Sequence, residues 1–144
     1  MGKVISQGSG EVEKGAIKRY INALNDHNPL YEDEELAGQS RYGSTVAPPL
    51  FLLTFDRERR PQIDNDWARG AVNAGNEFEF IQPVRAGDVI TFSRKLAAIK
   101  EKKGRFGRML IVTHETSFIN QRSEPVAIGR WTTIVHEGHG EEHL

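Results

Sequence analysis

The sequence predicts one α+β domain in which helices lead and an antiparallel sheet follows. Three observations predict it. A helical stripe of apolar residues occupies positions 11–24, period-two alternation takes over after Asp66, and no helical pattern interrupts the alternating segments. The last point excludes a βαβ dinucleotide unit. A length of 144 residues suits a single domain that needs no disulfide or metal to hold it.

Each element follows from local chemistry. Val12, Ala16, Ile17, Tyr20, Ile21 and Leu24 fall on one helical face, Ser9 or Gly10 can cap its start, and Asn25 to Pro29 stops it. Glu32 to Ala37 suits a short second helix. Pro48 and Pro49 precede Leu50-Phe51-Leu52-Leu53-Thr54-Phe55. Two prolines suit a helix start, and an almost wholly apolar run predicts a central helix buried on every side. Four strands follow. Phe78 and Phe80 alternate with glutamates, and Ile90 and Phe92 with Thr91 and Ser93. Leu110, Val112, His114, Thr116 and Phe118 line one side of a third strand, and Ile128, Arg130, Thr132 and Ile134 one side of a fourth. Turn residues separate them at Ala86-Gly87-Asp88, Lys103-Gly104 and Asn120 to Glu124.

Composition narrows the chemistry. With no cysteine there is no disulfide, thiolate metal site or thiol nucleophile. Lys and Arg number 19 against 20 Asp and Glu, so no overall field attracts nucleic acid or anionic lipid. The longest apolar run, Val46 to Phe55, is far too short to span a membrane. The start lacks a secretory core, and a cytoplasmic location is expected. Gly2 with Ser6 fits a loose and common myristoylation pattern. His139 to His143 satisfies HxxEH, but two glycines beside it favour a frayed polar tail with incidental metal affinity, and no metal site is expected. Gly8, Gly10 and Gly15 match no phosphate-binding loop.

The balanced total conceals two opposed patches. Residues 25–40 carry Asp26, Glu32, Asp33, Glu34 and Glu35 with no Lys or Arg. Residues 91–110 carry seven basic groups against Glu101. Lys100, Lys102, Lys103, Arg105 and Arg108 crowd an expected hairpin tip, either as a solvated turn that blunts a sheet or as an anchor for the phosphates of a nucleotide-bearing thioester. His114, alone in mid-strand, is read as a hydrogen-bonded structural imidazole.

Three segments occur in a telling order: Asn25-Asp26-His27-Asn28-Pro29-Leu30-Tyr31-Glu32-Asp33, then Ala47-Pro48-Pro49, then Pro83-Val84-Arg85-Ala86-Gly87-Asp88. Together they resemble the MaoC-like (R)-specific enoyl-CoA hydratases and dehydratases over roughly residues 10–135. Within that family they are most similar to the N-terminal-type, fatty-acid-synthase-type dehydratase domains lacking the catalytic histidine. The resemblance implies a hot-dog fold, an antiparallel sheet wrapped around a central helix, over residues 11–135, after an extension at 1–10 and before a His/Glu tail at 136–144. It implies a lyase of fatty acid metabolism that adds water to a trans-2-enoyl thioester, with no cofactor beyond the CoA thioester substrate.

In such chemistry a carboxylate and an imidazole share the attacking water, and a backbone N–H at a helix start stabilises the enolate oxygen. Asp26 matches the family carboxylate. Tyr31 occupies the histidine position, and a phenol is a poor base near neutral pH. Asn28 lies between them. His27 adjoins Asp26 and is wrongly spaced for the base. Pro49 falls where the family has a glycine N–H, and proline has none to give. The resemblance therefore implies a subunit that binds acyl-CoA or an acyl-carrier thioester beside a His-bearing hot-dog partner. Pro49, Lys102, Lys103, Arg105 and Arg108 are its substrate-binding candidates. Alternatives are a self-sufficient homodimer using Asp26, a non-catalytic acyl-CoA-binding protein and a hot-dog thioesterase.

Overall fold

The structure, a computed structural model, describes residues 2–57, 66–105 and 107–138. Strand β1 (Val4–Glu11) precedes helix α1 (Lys14–Leu24), two short helices α2 (Pro29–Glu32) and α3 (Glu34–Gln39), and a 3₁₀ helix over Pro49–Thr54. Strands β2 (Gly70–Phe80), β3 (Val89–Gly104), β4 (Gly107–Ile119) and β5 (Pro125–His136) complete the order. The strands form one five-stranded sheet in the order β1-β3-β4-β5-β2, antiparallel at every junction. This is the expected α+β hot-dog arrangement, and β2–β5 lie where the alternation placed them.

Strand β1 is a correction, since residues 1–10 read as an extension. Its sequence, rich in Gly and Ser, lacks the alternating apolar residues that mark a half-buried strand. Its glycines have a packing purpose instead. A Cβ at Gly8 would lie 2.8 Å from the Phe92 ring, and one at Gly10 would lie 2.8 Å from that of Phe55. Helix α1 likewise begins at Lys14 rather than residue 11. Glu11 pairs with Val89 in the sheet, and the Val12 N–H donates to the Asp88 carbonyl at 2.8 Å.

One face of the sheet carries the core. Ile90, Phe92, Phe118, Val126 and Trp131 meet Ile17 and Ile21 of α1 and Phe51 and Leu52 of the 3₁₀ helix. Full burial of such a side chain contributes about 1.5–3 kcal/mol. The central helix differs from expectation: it is 3₁₀ and six residues long, with Phe51 and Leu52 buried while Leu50 is 42% exposed. Two prolines withhold consecutive N–H groups from its first turn. The turn before β3 forms as predicted. Gly87 adopts φ 90° there, which favours glycine, and its N–H donates to the Val12 carbonyl. The expected tail motif at residues 139–143 lies outside the described residues.

Candidate functional site

The site is assembled from the chain between α1 and α3. Asn25 ends α1 in the left-handed conformation at φ 53°, turning the chain sharply. The Asn28 N–H then donates to Asp26 Oδ1 at 3.3 Å, and Asn28 Oδ1 accepts the Leu30 N–H at 3.1 Å, capping α2. Asp33 caps α3 in the same way through the Leu36 N–H. Pro29, the first residue of α2, lacks the N–H that a helix start leaves unpaired. Asn25, Asp26, Asn28, Pro29 and Asp33 therefore each have a local structural task.

Beside the segment opens a cavity of about 510 Å³. Its walls are largely apolar, among them Leu30, Val46, Ala47, Leu52, Phe80 and Val84, and Asn28, Tyr31 and Pro49 also line it. Three sequence candidates are thus brought together. Asp26 is not among the lining residues, though its charge is felt at the Tyr31 phenol. Burial first, then the Asp26 carboxylate and Tyr42, holds the Tyr31 phenol above the ordinary tyrosine range. At neutral pH it remains protonated, able to donate a hydrogen bond and unable to act as a base. His27 is solvent-exposed, its ring 3.1 Å from Asn25 Oδ1 and 3.7 Å from Glu32.

Sequence reasoning missed the polar rim. Arg41 donates to the Tyr42 hydroxyl at 2.7 Å and lies over its ring. Arg85 Nε reaches the Tyr42 carbonyl at 3.0 Å, tying the rim to the turn before β3. Asp88 closes that turn by accepting the Arg85 N–H at 2.9 Å, so the Pro83–Asp88 motif works as scaffolding for the cavity wall. Nothing in local periodicity marks Arg41 and Tyr42, which lie in a loop.

The basic candidates lie elsewhere. Phe80 at the cavity is level with Ala127 and Phe118, whereas Gly104 and Gly107 close the β3–β4 hairpin at the far end of the sheet. From Phe118 to Arg108 is roughly 34 Å of antiparallel strand. Arg108 pairs with Glu101 at 2.7 Å and covers the Trp67 ring. Lys102, Lys103 and Arg105 are exposed. Within one chain the structure does not bring them to the cavity.

A second group of ionisable residues sits in the core. Arg94 Nη1 is 3.2 Å from Asp56 Oδ1, with both side chains at least 96% buried, and the Thr116 hydroxyl donates to Asp56 Oδ2 at 2.9 Å. His114 is buried on the same face, one row along the sheet. Burial first, then Arg94, holds its imidazole below the ordinary histidine range, against an opposing pull from Asp56. The signal for this cluster was present: Arg94 continues the inward row of Ile90 and Phe92. Among the described residues no group of three or more His, Asp or Glu is arranged to hold a metal, and no helix is long and apolar enough to cross a membrane.

Comparison with known proteins agrees with this architecture. A UPF0336 protein of Streptomyces avermitilis is 34% identical over 100 residues, 65% of this chain and 66% of that protein. A UPF0336 protein of Parafrankia sp. is 31% identical over 129 residues, 86% of this chain and 83% of its own. The chain also matches a probable enoyl-CoA hydratase alpha subunit of Thermomonospora curvata, at 26% identity over 89% of this chain but 46% of that one. The matched stretch thus spans just under two thirds of the first relative and less than half of the last.

Among solved structures, a MaoC-like dehydratase from Rhodospirillum rubrum superposes with TM-score 0.72 at 26% identity, covering 97% of this chain and 94% of that one. A chain of the ChsH1–ChsH2 complex from Mycobacterium tuberculosis gives 0.81 at 17% identity, covering 96% and 87%. One from the HadBC (3R)-hydroxyacyl-ACP dehydratase complex of the same organism gives 0.74 at 23%, covering 92% and 95%. The family model described as the FAS1-like dehydratase domain region matches residues 1–128. Hot-dog sheet, ordered motifs and matched length agree, and the chain belongs to the FAS1-like dehydratase region family, within the MaoC-like dehydratases and hydratases.

Proposed function

We propose that this chain is the substrate-holding half of a two-chain enoyl-thioester hydratase or dehydratase, working beside a hot-dog partner that carries the Asp–His pair. One observation carries the reading. An apolar cavity of about 510 Å³ lies where the family motifs converge, yet among the described residues its lining includes no carboxylate and no imidazole. The cavity suits an acyl chain, and its groups do not suit proton transfer. Pro49 removes the helix-start N–H that would stabilise an enolate oxygen.

In the partner's site, the carboxylate and imidazole would deprotonate water as its oxygen bonds to the β-carbon of the trans-2-enoyl thioester. The displaced electron pair would be held as the enolate until a proton reaches the α-carbon; dehydration reverses these steps. This chain's part is to accommodate the acyl group and complete the assembly.

The edge of the sheet supports the pairing. β2 is an outer strand of 11 residues, exposed along most of its length, with Val72 54% and Phe80 46% exposed. Such an edge invites strand addition. Similarity to chains from two named two-subunit complexes, and to an alpha subunit, points the same way.

The test is enoyl-CoA hydration by each chain alone and by the mixture. Activity confined to the mixture is expected. Full activity from this chain alone would overturn the reading in favour of a homodimer using Asp26, while tight acyl-CoA binding without turnover in the mixture would favour a binding protein.

A further inference from the structure

We infer that Tyr31 is the end wall of the acyl-binding cavity and so sets the longest acyl chain that the two-chain complex accepts. The inference deepens the two-chain reading above and rests on it. A second cavity, of about 340 Å³, adjoins Tyr31 and is bordered also by Lys14, Lys18, Glu32, Glu34 and Thr45. Among the described residues Tyr31 alone borders both cavities. Its neighbours divide between them: Leu30 and Val46 line the apolar cavity, Glu32 and Thr45 the second. The Val46 N–H donates to the Leu30 carbonyl at 3.1 Å. A backbone rung and one aromatic side chain thus make up the partition.

Backbone contacts give the cavity a direction. Phe80 and Ile81 border it at the end of β2, the outer strand on which the partner joins. The Ala47 N–H donates to the Val84 carbonyl at 2.8 Å, and Val46 in turn reaches Leu30. From the joined edge the cavity therefore runs past Val84, Ala47 and Val46 to Leu30 and Tyr31. A thioester reacting at the partner's acid–base pair lies at the first end, and the tail of its acyl chain points to the second. What stands there decides the length. Beyond Tyr31 are four charged side chains, with Lys14 paired to Glu34 at 2.9 Å, and an apolar tail gains nothing by displacing their water. The Tyr31 side chain is apolar in its body and uncharged at its tip. It is also held in place: its N–H donates to the Asn28 carbonyl at 2.9 Å, and its ring packs against the core. The position at which the family has a histidine serves in this chain as a stop.

The test uses this chain co-purified with its partner and a series of straight-chain trans-2-enoyl-CoAs of increasing length. KM is expected to fall about fourfold with each added methylene while the cavity has room, and to stop falling at a break. Tyr31→Ala is expected to move that break about two methylenes longer, into the space the ring leaves. Tyr31→Phe keeps the ring and should leave the break in place. Where Tyr31→Ala does not assemble, Tyr31→Leu serves instead, with a shift of about one methylene. Ala47→Leu narrows the cavity ahead of Tyr31 and is expected to move the break shorter, which reports whether the acyl chain lies in this cavity at all. A break moved by Ala47→Leu but not by the Tyr31 truncation would overturn the end wall and leave the two-chain reading standing. Equal shifts from Tyr31→Phe and Tyr31→Ala would do the same, since the ring would then not be the stop. A break that neither Ala47→Leu nor the truncation moves would overturn both, because the acyl chain would then lie in the partner alone.

Discussion

The cavity and the Asp56–Arg94 cluster divide the chain's chemistry unevenly. The cavity holds a protonated phenol, a proline and apolar walls. The core, by contrast, holds an arginine, a threonine and a neutral histidine in two neighbouring rows of the sheet, with an aspartate from the loop after the 3₁₀ helix set against them. Asp56 and His114 are thus sealed in packing, while the described lining of the cavity carries no carboxylate and no imidazole. Proximity of Asp and His in a fold does not make a catalytic pair, because access and a proton's destination are also required.

The comparison breaks most visibly at Arg94. Arg94→Met leaves the Asp56 carboxylate buried without its guanidinium, and a loss of about 3–5 kcal/mol is expected. Chemical denaturation measures it, and replacing Asp56 as well should recover part of the loss. A drop under 1 kcal/mol would show that the cluster is not sealed. Packing next to it is tested at Gly129, where a Cβ would lie 2.6 Å from the Trp131 ring and 2.9 Å from that of Phe78. Gly129→Ala is expected to cost about 1–3 kcal/mol, read as a lowered Tm.

The cavity should respond differently. Tyr31→Phe removes a hydroxyl from its wall and is expected to cost no more than about 1 kcal/mol. Activity of the two-chain mixture should stay within twofold. Tyr31→His, which restores an imidazole beside Asp26, should leave the isolated chain inactive because Pro49 still offers no N–H. Hydration by that single variant would place a working site in this chain.

The smallest effect expected is in pH dependence. His114 stays neutral in the fold while the unfolded chain takes up a proton below pH about 6.5. Stability therefore falls as pH drops through that value towards the lower folded pKa. His114→Gln should flatten that part of the profile in urea titrations between pH 7 and 5. An unchanged slope would mean that the imidazole takes up its proton alike in the folded and unfolded chain.

Much of this was legible in sequence. Alternation located β2–β5 because one face of each is buried and the other is wet, and the stripe from Val12 to Leu24 located α1. Turn and cap chemistry acting within a few residues shapes the Asn25–Asp33 segment, and the Val46 N–H, donating to the Leu30 carbonyl at 3.1 Å, brings the chain before Pro49 beside it. Strand β1 was hidden, since its glycines answer to aromatic rings from β3 and the 3₁₀ helix, far along the chain.

Local patterning therefore determined α1, strands β2–β5 and their antiparallel class, and the motif resemblance put Tyr31 where the family has a histidine. Only the tertiary structure decided that Arg94 and Asp56 neutralise each other in the core, and that the basic hairpin and the cavity stand at opposite ends of the sheet. The first depends on how the loop after the 3₁₀ helix packs on β3 and β4, and the second on register across the whole sheet. A one-residue slip would turn Lys103 to the other face, and no short window of sequence contains that information.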